Sequence, residues 1–279
     1  MEPKLKLMEL VAIPVLLALL SLSNKANAYP RVPCYFVFGD SLSDNGNNNK
    51  LPTLAKVNYP PYGIDFPQGP TGRFCNGRNM HDFIAQLLGL KDNIPAFVTS
   101  KGRNIFNGVN YASGSAGIRK ETGSNLTLYN YGARKFAVYG IGQIGCTPYA
   151  ISMYGTNRPG CVLKLNKGAT LFNNRLKPLI HQLNNNLTDA KFTYLNPSGD
   201  SALATLGHLV SNTPCCTIGG GGGELCLPHS KSCKNSSKFI FWDGAHPTEA
   251  LNKIFAKNAY TSKSPFNASP LNIQQLAMW

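Results

Sequence analysis

The amino-acid sequence predicts an α/β fold with a parallel sheet that is covered by helices on both faces. Short apolar runs with strand character alternate with stretches of helical apolar spacing throughout residues 29–279, and this alternation is typical of a doubly wound sheet. No Pro-, Gly- or Ser-rich linker separates two compositionally different halves. We therefore predict a single domain over residues 29–279, long enough to bury one sizeable core.

The first half of this domain contains two predicted strands and one predicted helix. Tyr35–Phe38 is a short apolar run that ends abruptly in a turn, as a strand does. His81–Leu88 carries apolar residues at helical spacing and is followed by Gly89, a common helix terminator. Asn107–Tyr111 is the second predicted strand, and it leads into a segment of small residues that reaches Gly117.

The second half contains two more predicted strands and two predicted helices. The strands are Lys135–Ile141 and Lys191–Leu195. The last helix is opened by Pro247 and Thr248 and runs through Lys257, and its inward-facing residues are Leu251 and Ile254. The other helix spans Asn166–Asn184, and the residues expected on its apolar side are Leu171, Phe172, Leu176, Leu179 and Leu183.

The first 28 residues predict a secretory signal peptide rather than a part of the fold. A basic start at Lys4 and Lys6 precedes the apolar run Leu10–Leu20 and a small-x-small cleavage site at Ala26–Ala28. The alternative is a buried helix. This run is too short to span a bilayer, and no later stretch is long and apolar enough. We therefore expect a secreted protein without a transmembrane segment.

The formal net charge of +14 would suit acidic partners such as nucleic acid, anionic lipid or pectin-like wall polymers. However, the basic residues are scattered singly, without a Lys/Arg block or a basic run interleaved with aromatic residues. This distribution argues against nucleic-acid binding and favours a generally cationic, solvated surface. A weak attraction to anionic wall polymers or lipid surfaces is left open.

The chain contains eight cysteines, an even number that suggests disulfides in a secreted protein without specifying their pairing. The glycine run Gly219–Gly223 lies between Cys216 and Cys226, so we interpret it as a loop closed by disulfides. The alternative, a metal site, is disfavoured because Cys-x-x-Cys pairs are absent, and we expect no metal. Glycosylation sequons agree with secretion and lie at Asn125, Asn186, Asn235 and Asn267.

Ser41 lies at the carboxyl end of the first predicted strand. Ligands of open α/β sheets bind outside the carboxyl ends of strands, so a serine here is placed as a nucleophile would be. We expect Gly39 to allow a tight exit from the strand. We also expect a helix after Ser41 whose N-terminal amides, together with the Ser41 N–H, would face a developing oxyanion. The alternative is an ordinary turn serine, because Gly-Asp-Ser is good turn composition.

Asp243 and His246 form a second cluster near the other end of the chain. Pro247 holds His246 extended and starts a helix, which would present the imidazole from a fixed loop. Asp243, three residues earlier, can reach back to Nδ1 and fix the tautomer. The alternative for Asp243 is a helix cap or a turn residue. The other histidines are expected to be structural or exposed, and they are His81, His181, His208 and His229.

Five segments of the chain resemble, in order, the landmarks of the plant branch of the GDSL esterase/lipase family, within the SGNH hydrolases. They are Gly39–Asn48, Asn107–Gly114, Tyr131–Lys135, Ile144–Pro148 and Phe241–Ala250. The resemblance implies a flavodoxin-like, three-layer α/β/α fold. It also implies an extracellular enzyme of the apoplast or cell wall that hydrolyses small-molecule or lipid esters without a cofactor.

The same resemblance implies the roles of single residues. Ser41 is the expected nucleophile, His246 the expected base and Asp243 the acid that orients it. The backbone amides of Ser41 and Gly114 are the expected oxyanion donors. The acyl group would pass through an acyl-enzyme on Ser41.

One family motif, Gly-x-Asn-Asp, has no counterpart in this chain. In the family it lies between the second landmark and the landmark at Tyr131–Lys135, and its asparagine side chain is the third oxyanion donor. Residues 118–130 run straight across this interval, so we predict an internal shortening there and a sheet that lacks a central strand. Two alternatives to an active esterase follow: a secreted binding protein with impaired or absent catalysis, and a truncated product that folds poorly.

Overall fold

The computed structural model describes residues 31–90, 93–100, 105–117, 128–155, 160–197, 209–210, 213–220 and 223–279. The predicted signal peptide, the sequon at Asn125 and most of the interval predicted to be shortened lie outside these residues. Within the described ranges, no helix is both long and apolar enough to cross a bilayer.

Among the described residues, one sheet contains three strands in the order β1–β2–β3. Strands β1 (Lys135–Tyr139) and β2 (Lys191–Leu195) run parallel and pair along their whole length. Strand β3 (Ala268–Ser269) adds antiparallel to the end of β2. Strand β2 is buried after its first residue, as expected for a strand that has neighbours on both sides. Both strands predicted in this half of the chain are thereby confirmed, although β1 ends at Tyr139, two residues before its predicted end.

The described part of the chain contains five α-helices: α1 (Met80–Leu87), α2 (Pro148–Tyr154), α3 (Leu163–Asn186), α4 (Glu249–Thr261) and α5 (Ile273–Met278). On one face of the sheet, Ile180 of α3 packs with Phe192 and Tyr194. On the other face, residues of α1, α4 and α5 share a hydrophobic cluster with Leu195 and Ala268. Helices therefore lie on both faces, which confirms the predicted α/β fold with parallel strands.

Helix α3 differs from the prediction in the side that it buries. Leu171 and Leu179 are 58% and 47% exposed, whereas Leu176, Ile180 and Leu183 belong to the cluster at the sheet. These three residues follow the i, i+4, i+7 spacing of one helical stripe. The stripe that faces the sheet is therefore narrower than the leucine content of the helix suggested.

The C-terminal part of the chain contains one helix more than predicted. Helix α4 begins after Thr248, whose hydroxyl accepts a hydrogen bond from the Leu251 N–H. Leu251 is buried as predicted, and Ile254 is partly exposed. Helix α5 follows and is too short for apolar periodicity to reveal it. Its sequence signal is the capping box that Asn272 and Gln275 form.

A second group of extended segments lies at the N-terminal end of the domain. The Val37 N–H donates to the Val109 carbonyl (3.1 Å), and the Tyr111 N–H donates to the Val37 carbonyl (2.7 Å). Val37 thus pairs in parallel with Asn110, which in turn pairs in parallel with Ala96. The two strands predicted in this region are therefore extended and adjacent, but single bridges join them instead of a continuous ladder.

Among the residues that the structure describes, no backbone hydrogen bond joins this N-terminal group to β1. Phe36 and Phe38, which flank Val37, are 46% and 43% exposed. Strand β1 is itself only partly covered. A strand inserted between the two groups would bury both edges. The predicted loss of a central strand is compatible with this geometry and stays a prediction.

Three disulfides lie in the described ranges: Cys146–Cys161, Cys215–Cys233 and Cys216–Cys226. The third closes the glycine-rich loop, as predicted. Cys34 and Cys75 are free thiols. The buried Cys75 thiol donates a hydrogen bond to the Gly77 carbonyl.

Candidate active site

Ser41 lies in the turn that follows the first extended segment. The Leu42 N–H donates to the Asp40 carboxylate at 3.0 Å. The N–H groups of Ser43 and Asp44 donate to the Asp40 carbonyl at 3.1 and 2.9 Å. These bonds form a single turn after Ser41 instead of the predicted helix, and the turn ends before Gly46, which has a φ of 130°. No described residue accepts a hydrogen bond from the Ser41 N–H, so this donor can serve a ligand.

Asp44 anchors the same turn from the interior of the protein, where it is buried. One carboxylate oxygen accepts hydrogen bonds from the Gly46 N–H (2.8 Å) and the Asn47 N–H (2.7 Å). The other oxygen accepts from the Gly114 N–H at 2.9 Å. Burial raises the pKa of Asp44, and the backbone hydrogen bonds offset this only in part.

The hydrogen bond to Asp44 occupies the Gly114 N–H that was predicted as an oxyanion donor, and this role stays a prediction. A backbone N–H carries one hydrogen, and here it points at a buried carboxylate. Gly114 is also tightly enclosed, since a β-carbon at this position would lie 2.8 Å from both Asn48 Nδ2 and the Phe74 ring. Gly114 therefore joins two loops in this structure, and of the two amides predicted as oxyanion donors, the Ser41 N–H has no partner among the described residues.

Asp243 and His246 face Ser41 from the turn before α4. His246 Nδ1 lies 2.9 Å from each carboxylate oxygen of Asp243, and Nε2 lies 2.9 Å from Ser41 Oγ. A carboxylate can only accept, so the Nδ1 proton is donated to Asp243 and Nε2 accepts from the Ser41 hydroxyl. The structure thus brings the three predicted residues together, although Ser41 and His246 are 205 positions apart.

Asp243 also shapes the turn that carries His246. Its Oδ1 accepts hydrogen bonds from the N–H groups of Ala245 (2.9 Å) and His246 (2.8 Å). The turn interpretation of Asp243 therefore holds together with the orienting one. Asp243 and His246 are 0% and 2% exposed, so one buried carboxylate fixes both the backbone and the imidazole.

The charges around His246 favour its protonated form. Burial opposes a charge on the ring, but the charge and hydrogen bond of Asp243, followed by the charges of Glu224 and Asp40, outweigh it and raise the pKa of His246. The Phe74 ring lies 5.0 Å from the imidazole ring. The arrangement can therefore take a proton from Ser41 and hold the resulting imidazolium as an ion pair.

Two buried residues support this region: Tyr62, which the sequence analysis did not single out, and His81, which was expected to be structural or exposed. Tyr62 Oη donates to Asp243 Oδ2 at 2.7 Å, and its surrounding Pro/Gly-rich loop signals only turns. His81 lies between Tyr35 Oη, 2.6 Å from Nδ1, and Ser43 Oγ, 2.8 Å from Nε2. Burial lowers the pKa of His81 to about 4. No local motif marks either residue, because their partners are distant in the chain.

The described sequons differ in accessibility. Asn186 and Asn235 are exposed, as a glycan requires. Asn267 is only 3% exposed, and its Nδ2 donates to Ser262 Oγ at 2.8 Å. A glycan would be attached to that nitrogen, so this burial argues against modification of the folded protein at Asn267, and the glycosylation there stays a prediction.

Within the described ranges, His, Cys, Asp and Glu side chains form no group of three that could hold a metal ion. The Asp243 carboxylate, the acid of the candidate site, has its two oxygens engaged by hydrogen bonds from protein groups. The expectation of a reaction without metal or cofactor stays a prediction.

The sequence matches the family model of the GDSL-like lipase/acylhydrolases in two segments, residues 35–129 and 118–259. The chain belongs to this family. The Arabidopsis thaliana protein GDSL esterase/lipase At1g29660 is 38% identical to it over 365 aligned positions, which cover 99% of this chain and 100% of the relative. GDSL esterase/lipase At1g29670, from the same organism, is 39% identical over 341 positions, covering 91% and 93%.

The first of these matches also shows that this chain is shorter than its Arabidopsis thaliana relative. The first alignment spans 365 positions, more than the 279 residues of this chain, so the relative carries residues that have no counterpart here. The two segments that match the family model overlap at residues 118–129. This is the interval in which the Gly-x-Asn-Asp motif is absent.

Proposed function

We propose that the protein is a secreted serine esterase that hydrolyses acyl or lipid esters through Ser41, His246 and Asp243. The observation that carries the proposal is the continuous hydrogen-bonded chain from Ser41 Oγ through the imidazole to the Asp243 carboxylate, with 2.9 Å at each step. Membership of the GDSL family supports hydrolysis of ester bonds. The disulfides and the predicted signal peptide support secretion.

The reaction proceeds in two half-reactions. Ser41 Oγ attacks the ester carbonyl carbon while His246 Nε2 takes the hydroxyl proton, and Asp243 stabilises the imidazolium. The tetrahedral intermediate collapses, the bond to the alcohol oxygen breaks, and the imidazolium protonates this leaving group. Water then attacks the acyl-enzyme, His246 takes its proton and returns it to Ser41 Oγ, and the carboxylic acid leaves.

The oxyanion of each tetrahedral intermediate has few donors in this structure. The Ser41 N–H is unpartnered among the described residues, but the Gly114 N–H is bonded to Asp44. We propose that the chain is shortened near residues 118–130 and has lost the asparagine donor with that segment. Because one such donor contributes about 10²–10³ in rate, we expect a slow esterase.

The test is hydrolysis of short- and long-chain nitrophenyl esters, combined with labelling by a fluorophosphonate that reacts with activated serines. Wild type should turn over and be labelled, and Ser41→Ala should lose both. Ser43→Ala is the matched control, because its hydroxyl contacts His81 and not His246. Equal rates for wild type and Ser41→Ala would contradict the proposal.

A second candidate is a secreted binding protein of the same family with impaired catalysis. The occupied Gly114 N–H favours it, because the oxyanion would then depend on one backbone donor. Labelling of Ser41 without measurable turnover would support this candidate over the esterase. A cooperative thermal transition by circular dichroism would exclude a truncated product that folds poorly.

A further inference from the structure

Tyr62 holds a buried position between the acid of the site and a disulfide-closed loop. Its side chain is 1% exposed, and its Oη lies 2.7 Å from Asp243 Oδ2 and 3.0 Å from the Cys226 backbone nitrogen. A backbone N–H can only donate and a carboxylate can only accept. The phenol therefore accepts from Cys226 and donates its single proton to Asp243.

This bond occupies a specific place on the Asp243 carboxylate. Oδ1 is surrounded by two backbone N–H groups and the imidazole, whereas Oδ2 contacts only the imidazole and Tyr62 among the described residues. Without the phenol, the imidazole would be the single hydrogen-bond partner of Oδ2 among the described residues. Water could not replace the phenol easily, because Asp243 is 0% exposed. Tyr62 thus spreads the carboxylate charge away from His246.

Tyr62 is itself fixed by the loop that the Cys216–Cys226 disulfide closes. The same loop contacts the turn that carries the acid and the base: the Cys216 N–H donates to the Trp242 carbonyl (2.9 Å), and the Gly244 N–H donates to the Glu224 carbonyl (2.8 Å). A β-carbon on Gly244 would lie 2.9 Å from the Glu224 carbonyl oxygen. Loop, phenol and acid turn are therefore in direct contact.

We propose that Tyr62 is a positioning residue for the proposed esterase reaction: its phenol, held by the disulfide-closed loop, keeps Asp243 aligned with His246 and limits the charge that the carboxylate presents to the imidazole. The inference rests on the proposed function of Ser41, His246 and Asp243. Burial, followed by the charge and hydrogen bond of Asp243, raises the pKa of Tyr62, so the phenol stays protonated over the working pH range.

The test compares Tyr62→Phe with the matched control Tyr59→Phe. Tyr59 packs edge-on against Tyr62 with ring centroids 5.5 Å apart, and its hydroxyl donates to the Cys226 carbonyl, not to Asp243. For Tyr62→Phe we expect kcat to fall about tenfold, with KM changed by less than about twofold. Tyr59→Phe should leave kcat within about twofold of wild type.

The pH profile gives a readout that a merely structural role would not move. Removing the phenol concentrates negative charge on Asp243, which favours the imidazolium and shifts the acid limb of kcat/KM to higher pH. The other charged groups near His246, Glu224 and Asp40, are unchanged in both variants. Replacing Tyr62 with 3,5-difluorotyrosine, a stronger donor of nearly the same shape, should shift the limb to lower pH and covers the case in which Tyr62→Phe fails to fold.

A titration of His246 by NMR separates this inference from the proposed function, because it needs no turnover. The His246 signal is assigned by its loss in His246→Gln and followed in wild type and Tyr62→Phe. An upward shift of its titration midpoint in Tyr62→Phe supports the inference even if no ester is hydrolysed. A folded Tyr62→Phe protein with an unchanged titration midpoint, kcat and pH profile overturns it, whether or not the wild type is an esterase.

Discussion

The Gly114 N–H donates a hydrogen bond to the buried carboxylate of Asp44 at 2.9 Å. The bond joins the loop after the second extended segment to the turn that carries Ser41. Asp44 also accepts from the Gly46 and Asn47 N–H groups, so one side chain fixes three backbone positions around the nucleophile. The separation of the two loops that border Ser41 is therefore set by this carboxylate.

Asp44→Asn should lower the stability of the fold. An amide side chain offers one accepting oxygen where the carboxylate offers two, so at least one of the three N–H groups loses its partner. A buried donor without a partner costs about 1–3 kcal/mol, and we expect a loss of this size in urea unfolding. Asp65→Asn is the control, because Asp65 is exposed; equal losses in the two variants would contradict the argument.

The parts of the structure that local sequence signals predict are those with regular periodicity or a short motif. Strand β2 coincides with the predicted strand Lys191–Leu195, a short segment that contains aromatic and β-branched residues, and helix α3 is predicted from its apolar spacing. Asp243 and His246 could be predicted as a pair because only three positions separate them. These features depend on near neighbours in the chain, which is why the sequence reveals them.

The features that sequence reasoning missed depend on distant partners. The bond between Gly114 and Asp44 joins residues 70 positions apart, and that between Tyr62 and Asp243 joins residues 181 positions apart. Neither is visible as a spacing, since both arise only when packed loops meet. The turn that replaces the helix predicted after Ser41 ends before Gly46, whose φ of 130° lies outside the helical range.

The raised pKa of His246 predicts opposite pH effects on activity and on stability. Activity needs the neutral imidazole as a base, so the rate should rise as pH increases through this raised pKa, above about 6.5. The ion pair with Asp243 stabilises the fold fully below about pH 6.5 and is lost as pH rises through the same pKa. A pH–rate profile and urea unfolding between about pH 6 and 9 measure both trends.

His246→Gln is the control for these two trends. It removes the titrating group, so the decrease in stability with rising pH should disappear. If the activity of the wild type and the ion-pair contribution to its stability both decreased with rising pH, the assignment of His246 as the base would be wrong.

The buried His81 predicts a second dependence of stability on pH, at lower pH than that of His246 and of opposite sign. Burial lowers the pKa of His81 from 6.5 to about 4. Between these two pH values the unfolded chain therefore binds a proton at this residue that the folded protein does not bind. Stability should therefore fall as pH decreases from about 6.5 to about 4, by up to about 3 kcal/mol. Urea unfolding at pH 7 and pH 4.5 measures this loss.

His81→Gln is the variant that isolates this effect. Glutamine keeps a donor and an acceptor for Tyr35 and Ser43 but does not titrate, so the unfolding free energy should change less between the two pH values. An undiminished loss in His81→Gln would assign the acid sensitivity to other groups. Because this window lies below about 6.5 and that of His246 lies above it, the two contributions can be measured separately.

Glycosylation should follow the exposure of the sequons and not their number. Asn186 and Asn235 are exposed, so Asn186→Gln and Asn235→Gln should each remove one glycan from the secreted protein. Asn267 is buried, and its Nδ2 is bonded to Ser262 Oγ, so Asn267→Gln should leave the glycan mass unchanged. Intact mass before and after enzymatic removal of N-glycans measures each variant. Loss of a glycan in Asn267→Gln would mean that this asparagine is modified before the fold encloses it, and that the secreted protein differs from the structure at this site.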